Sequence, residues 1–339
     1  MLFKRLCTLL LPLALSLPLS ALAGPFTNLV VFGDSLSDTG NLAIASAPTN
    51  NPPGPGLPAQ PPGSGFNGPY FQNSRYSNGP LWIEGLAAGL GLPNAATPYL
   101  LGGSNYAFGG ARTDLNQNPP GILAQAIGLW GGGNLTPDPT FADPNALYVV
   151  VGGGNDMRDA RSAPGSDATS RQLAATSSII NLAATLTYLA SKGAKNILIS
   201  TLPNLGYTPE AALLNLQAAS LDASNQFNAL IQTSLMNYGT GLGLHMNLLD
   251  MDGLFMDALA NPASFGFTNT SLPCAGFEYS AGASCATSLF ADVLHPSAYT
   301  HSLIAQAALE LLGIPEPGTL ALFALALFLV MARRRRPAA

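Results

Sequence analysis

The sequence predicts an α/β fold with a mostly parallel sheet between helical layers, and three observations lead there. Four short apolar runs, Leu29 to Phe32, Ala146 to Val151, Asn196 to Ser200 and Met246 to Leu249, lack polar alternation, as strands buried on both faces do. Segments of helical spacing separate them, and strands alternating with helices make a parallel sheet with helices on its faces. Two of the runs end in glycine turns bearing Ser35 and Asn155, at the strand ends where such sheets bind ligands.

The first run stops at Gly33, and Ser35 follows in the turn Gly33-Asp34-Ser35-Leu36 before a segment able to open a helix. A rigid strand and an exposed turn suit a nucleophile, and free N–H groups at a helix start favour developing negative charge. A plain helix cap reads the same way, so the choice rests on finding a base elsewhere. Residues 48–69 are dense in Pro and Gly and form a long loop, either a lid over Ser35 or an insertion without function. Asn78-Gly79-Pro80 opens a helix through Leu81, Trp82 and Leu86, closed by Gly89 or Gly91. After a Gly102-Gly103 turn comes Asn105-Tyr106-Ala107-Phe108-Gly109-Gly110, whose paired glycines let backbone N–H groups approach a ligand.

The second run ends in Gly152-Gly153-Gly154-Asn155-Asp156. A dinucleotide loop would need glycine where Met157 stands, and no Lys-Ser/Thr follows for a phosphate loop. Ile179, Ala183, Leu186 and Ala190 set a helix from Ala174 to Lys192, stopped by Gly193. A turn at Pro203-Asn204 follows the third run. One long helix is expected from Ala211 to Tyr238, and a last one from Ser297 to Leu312.

Both ends read as addresses. Residues 1–23 carry Lys4 and Arg5, an apolar core through Leu17 and Ala21-Leu22-Ala23, the pattern of a secretory signal peptide, with an uncut anchor as the alternative. Residues 314–339 carry Pro315-Glu316-Pro317, an apolar run from Leu320 to Met331, and Arg333 to Arg336. That run is shorter than the ~20 residues of a stable span, and the arginines hold their end in the cytoplasm. The tripeptide, apolar stretch and basic cluster together resemble the PEP-CTERM sorting signal. The resemblance implies recognition and cleavage by an exosortase in a Gram-negative bacterium making extracellular polysaccharide; a plain inner-membrane anchor is the alternative.

Without the basic residues of its ends the chain keeps seven cations against 18 acidic residues, of which only Glu316 is near the tail, about −11, which excludes a basic face for nucleic acid. Only 9% of residues are charged, so an exported surface of Asn, Ser, Thr, Gly and Ala is expected. Cys7 leaves with the signal. Cys274 and Cys285 remain as an even pair in an oxidising compartment and are read as a disulfide. Two cysteines without a nearby His cannot fill a zinc shell, so no metal is expected.

Of three histidines, His245 reads as a surface residue and His301 as structural, within the last helix. His295 differs, in Asp292-Val293-Leu294-His295-Pro296. Residues three apart in a turn face each other, so Asp292 can hold one ring nitrogen and leave the other as acceptor. A helix-start detail would look the same.

Together, Gly33-Asp34-Ser35-Leu36, Asn105 to Gly110, Gly153-Gly154-Asn155-Asp156 and Asp292-Val293-Leu294-His295 resemble the four blocks of the SGNH hydrolase superfamily, the GDSL esterases. The resemblance runs from Phe32 to Pro296. It implies a single three-layer α/β/α, flavodoxin-like domain over residues 24–313, without metal or organic cofactor. Matched residue by residue, it implies Ser35 as nucleophile, His295 as base and Asp292 as its partner. An oxyanion hole would come from the N–H of Ser35, the N–H of Gly110 (rather than Gly109) and the Asn155 amide, with Asp34 and Asp156 steadying turns. The implied partners are an ester substrate (lipid, acylated sugar or small ester), signal peptidase and exosortase, and the implied location is the cell surface or extracellular matrix. Acyl transfer by the same triad and a non-catalytic matrix protein are the competing readings; a binding module has no need of all four site side chains.

Overall fold

The computed structural model describes residues 25–46, 75–280 and 282–314. The expected signal peptide, the expected 48–69 loop and the expected sorting segment beyond Ile314 lie outside the described residues.

Four parallel strands form the main sheet in the order of the chain: β1 (Leu29–Gly33), β2 (Leu147–Val151), β3 (Asn196–Ser200) and β4 (His245–Leu249). Leu29 lies opposite Leu147, Leu147 opposite Asn196, and Asn196 opposite His245. Beyond β1 the edge is covered by the chain at 104–106: Val31 N–H donates to Ser104 O and Tyr106 N–H to Val31 O. Successive strand residues enter opposite cores, as the period of two requires. Leu29, Val31, Leu147, Val149 and Val151 pack in one cluster with Trp82, Leu86, Ile304 and Leu309. Val30, Phe32, Tyr148 and Val150 pack in the other with Ile179, Leu186, Phe227 and Ile231. That division is the three-layer sandwich the apolar runs predict; fully burying one such side chain stabilises by about 1.5–3 kcal/mol.

The α-helices of five or more residues among the described residues follow in chain order: α1 (Asn41–Ser46), α2 (Trp82–Gly89), α3 (Gly154–Ser162), α4 (Ala168–Ser191), α5 (Pro209–Leu213), α6 (Gln217–Leu230), α7 (Met236–Gly241), α8 (Met251–Ala260) and α9 (Ala298–Leu311). By length and composition α4 could cross a membrane. Here Ile179, Leu182, Leu186 and Leu189 turn one stripe of it onto the sheet's core. It starts six residues earlier than its apolar spacing predicts, because Asp167 caps it by accepting from Ser170 N–H at 2.7 Å.

The single helix expected from Ala211 to Tyr238 is not one helix. α5 stops at Leu213, Asn215 takes a left-handed φ of 56°, and α6 begins at Gln217. The break follows from tertiary contacts: Glu210 is buried in ion pairs to Arg158 and Arg161, and its N–H donates to Val293 O at 2.7 Å. Helix propensity, worth tenths of a kcal/mol per residue, does not override such anchors.

A second sheet pairs β5 (Asn269–Pro273) with β6 (Ser288–Phe290), and between them Cys274 is bonded to Cys285. Cys274 N–H reaches Phe290 O and Ala291 O, which ties this parallel-paired excursion to the loop carrying Asp292 and His295.

Candidate active site

β1 delivers its terminal Gly33 into a space that admits no side chain, since a Cβ there would come within 2.9 Å of Val151 O. The buried amide of Gln125 clamps Gly33 from the side, Oε1 accepting from its N–H and Nε2 donating to its C=O, both at 2.8 Å. Gln125→Leu leaves that N–H buried and unpaired. Stability to urea is expected to fall by about 2 kcal/mol; an unchanged midpoint would show the clamp to be dispensable.

Past Gly33 the chain turns sharply. Asp34 O accepts from Ser37 and Asp38 N–H, and Asp34 Oδ1 from Leu36 N–H, so Ser35 sits at the apex with its hydroxyl toward a cleft. Asp38 anchors the rest: Oδ1 accepts from Gly40 and Asn41 N–H, Oδ2 from Leu42 and Gly109 N–H. Asn105 Nδ2 donates to Ser37 O and Thr39 Oγ1, while Asn41 Nδ2 donates to Asn105 O and Ala107 O. The serine turn and the Gly109-Gly110 loop are thereby one hydrogen-bonded unit.

Burial pushes both Asp34 and Asp38 up to about 6, against hydrogen bonds that pull the other way. A carboxyl that binds its proton more tightly when folded adds stability at low pH and loses it as pH rises through that value. Between about pH 4 and 6 the stability of Asp38→Asn relative to the parent is therefore expected to improve as pH rises. Urea midpoints across that range check it; a constant difference would contradict the buried titration.

His295 enters from the far end of the chain. Asp292 Oδ1 accepts from the N–H groups of Leu294 and His295 at 2.7 and 2.6 Å, and its Oδ2 lies 2.7 Å from His295 Nδ1. The other ring nitrogen, Nε2, lies 2.9 Å from Ser35 Oγ. Ser35, Asp292 and His295 are all buried, and the Tyr76 ring stands 5.0 Å from the imidazole, centroid to centroid. Ser77 Oγ donates to Pro296 O and Asn78 Oδ1 accepts from Ala298 N–H, which fixes the turn before α9.

Asn155 opens α3 and lines the same cleft as Ser35 and His295. Much of that cleft's lining is apolar, from Leu36, Leu202, Leu205, Phe255, Phe290 and Leu294. Gly110 is not among the lining residues, yet both its neighbours are pinned to the site: Gly109 N–H to Asp38, and Ala111 O to Asn155 Nδ2 at 2.9 Å. Gly110 has a φ of 78°, and among the described residues neither its N–H nor that of Ser35 meets an acceptor. Gly109 lacks that freedom, because its N–H is taken and a Cβ there would meet the Tyr76 ring at 2.2 Å. Asp156 accepts from Thr113 N–H, Thr113 Oγ1 and Ser178 Oγ, which ties the start of α3 to Thr113 and to α4.

Residues 29–308 match the family model described as GDSL-like Lipase/Acylhydrolase. The chain belongs to this GDSL family. Residues 313–336 match the PEP-CTERM protein-sorting motif. Among its GDSL relatives, Esterase EstA of Pseudomonas aeruginosa is 30% identical over 94% of this chain and 52% of its own length. Thermolabile hemolysin of Vibrio parahaemolyticus is 28% identical over 83% of this chain and 62% of its own. Phosphatidylcholine-sterol acyltransferase of Aeromonas hydrophila is 28% identical over 75% and 67%. The chain thus spans about half the length of the esterase it matches.

Against the GDSL blocks, the other two histidines stand apart. His245 is exposed at the start of β4. His301 is buried in α9, its Nδ1 accepting from Trp82 N–H, and burial drives its pKa down to about 3, so it stays neutral. Sequence reasoning missed Gln125, Tyr76, Arg158 and Glu210. Only Arg158 carried a signal, its spacing of three residues from Asn155, which the structure turns into one turn of α3.

Proposed function

We propose that this GDSL-family chain is an exported serine ester hydrolase that cleaves carboxylic esters through an acyl-enzyme on Ser35. The observation that carries the reading is the Ser35 Oγ–His295 Nε2–Asp292 contact chain at the mouth of an apolar cleft. Ser35 Oγ bonds to the ester carbonyl carbon as its proton passes to His295 Nε2, and Asp292 stabilises the imidazolium. The oxyanion is held by the N–H of Ser35, the N–H of Gly110 and the Asn155 amide. Collapse expels the alcohol, which takes the proton from His295. Water then attacks the acyl-enzyme, gives a proton to His295 and releases the acid, and the proton returns to Ser35.

The apolar lining suits an acyl chain, and the kinship with an esterase and with an acyltransferase keeps a second acceptor in play: an alcohol bound in place of water would receive the acyl group. Export proceeds by the leader at 1–23, with the domain at 24–313 and the segment 314–339 handed to an exosortase after transient anchoring. The resulting location is the cell surface or matrix of a Gram-negative bacterium.

The test is release of a chromophore from short-chain acyl esters by the full chain, with and without an added alcohol. Hydrolysis that partitions to the alcohol's ester identifies a transferase; free acid alone identifies a hydrolase. No release from any acyl ester would contradict both and favour a matrix protein without catalysis.

A further inference from the structure

Asn155 is held by more than its own turn. Its Oδ1 accepts from Arg158 Nη1 at 3.3 Å, while one Nδ2 hydrogen goes to Ala111 O at 2.9 Å. Arg158 also lines the cleft, and it is itself clamped: Nε and Nη2 bond the two carboxylate oxygens of Glu210 at 3.0 and 2.5 Å. Glu210 is almost wholly buried and shared with Arg161, whose Nη1 donates to Ser220 Oγ at 2.8 Å. The backbone N–H of Glu210 donates to Val293 O, inside the loop that carries Asp292 and His295.

We propose that Arg158 is a positioning residue that decides which way round the Asn155 amide sits, an inference resting on the reading of Asn155 as an oxyanion donor. As observed, the amide oxygen faces a donor and the amide nitrogen faces an acceptor. Turned by half a revolution, its NH₂ would meet the guanidinium donor and its oxygen the Ala111 carbonyl oxygen, so both contacts become repulsive. The observed orientation keeps the second Nδ2 hydrogen for a ligand in the cleft. Glu210 supplies the rigidity: a bidentate carboxylate fixes the plane of the guanidinium before substrate arrives, leaving Nη1 aimed at Asn155. A lysine cannot take this part, because one ammonium on a flexible stem does not reproduce a planar fork with a third donor. The same residue, through its backbone N–H to Val293 O, links this brace to the His295 loop, so donor and base are held from one buried residue.

The test is a double-mutant cycle in the full chain. Arg158→Lys and Arg158→Gln are each made alone and in the Asn155→Ala background. Values of kcat and KM are measured on a soluble chromogenic acetyl ester, per molecule of serine titrated to completion by a fluorophosphonate. Alone, each Arg158 substitution is expected to lower kcat by about tenfold to a hundredfold with KM changed less than about threefold. In the Asn155→Ala background the same substitutions are expected to cost less than about twofold, since the amide they orient is gone. Arg158→Lys keeps a cation against Glu210 and so remains informative where Arg158→Gln fails to fold. Equal losses in both backgrounds, or an unchanged kcat, would overturn the positioning role while leaving the oxyanion reading intact. An Asn155→Ala variant with full kcat would overturn both.

Discussion

Ser35→Ala is expected to lower kcat for a soluble acyl ester by about 10⁴- to 10⁶-fold while KM moves little. Ser35 sits at the apex of a turn whose backbone hydrogen bonds come from Asp34, Asp38 and their neighbours, none of which uses the serine hydroxyl. Removing Oγ therefore deletes one atom and leaves the cleft as it stands. What is lost is the acyl-enzyme route itself, since among the described residues Ser35 Oγ is the nucleophile that stands 2.9 Å from His295 Nε2. Residual rate comes from the oxyanion donors acting on water. His295→Ala is expected to cost as much, and the double variant no more than either alone, because nucleophile and base act as one unit. Steady-state kinetics on the three variants check this. A Ser35→Ala protein within about tenfold of the parent would remove the triad from the account.

Asp292→Asn is expected to cost about 10⁴-fold in kcat although the fold survives. The carboxylate does two jobs at once. Oδ1 accepts from two backbone N–H groups, and Oδ2 faces His295 Nδ1. An asparagine can keep the first job by placing its carbonyl oxygen where Oδ1 was. Its NH₂ then faces Nδ1, which must become the acceptor, so the ring proton moves to Nε2. That tautomer cannot take the proton of Ser35, and the amide cannot stabilise an imidazolium. Thermal melting close to the parent together with a collapsed kcat is the expected pair of results. A variant that melts far lower would show that Asp292 chiefly builds the loop.

Much of this was legible beforehand because its causes are local. β1, β2 and β3 announce themselves as apolar runs buried on both faces, whereas β4 at the sheet edge is only partly buried, and the α2 and α9 stripes repeat at helical spacing. Three site side chains come from turns directly after or before such elements, so their meeting at one rim of the sheet follows from parallel topology. What was illegible depends on contacts between distant residues. Gln125 clamps a glycine 92 positions away, with no pattern of its own in the sequence. Glu210 looks like an ordinary helix residue until Arg158, 52 positions earlier, is found against it, and that pairing breaks the predicted helix at Asn215. The short strands β5 and β6 are half polar, Asn-Thr-Ser-Leu-Pro and Ser-Leu-Phe, and lack the run length that marks a strand. α8 hides behind Gly253 in its first turn, whose N–H is capped by Asp250. The choice of Gly110 over Gly109, which matching the sequence block favours, gains a physical reason from the bond that occupies Gly109 N–H.

The most direct measurement is the mass of the full chain during turnover of an activated acyl ester, quenched in acid and mapped by peptide. One acyl group on the peptide that contains Ser35, absent from Ser35→Ala, is the predicted result. An acyl group carried by a different residue, or hydrolysis in which the parent never carries one, would contradict it.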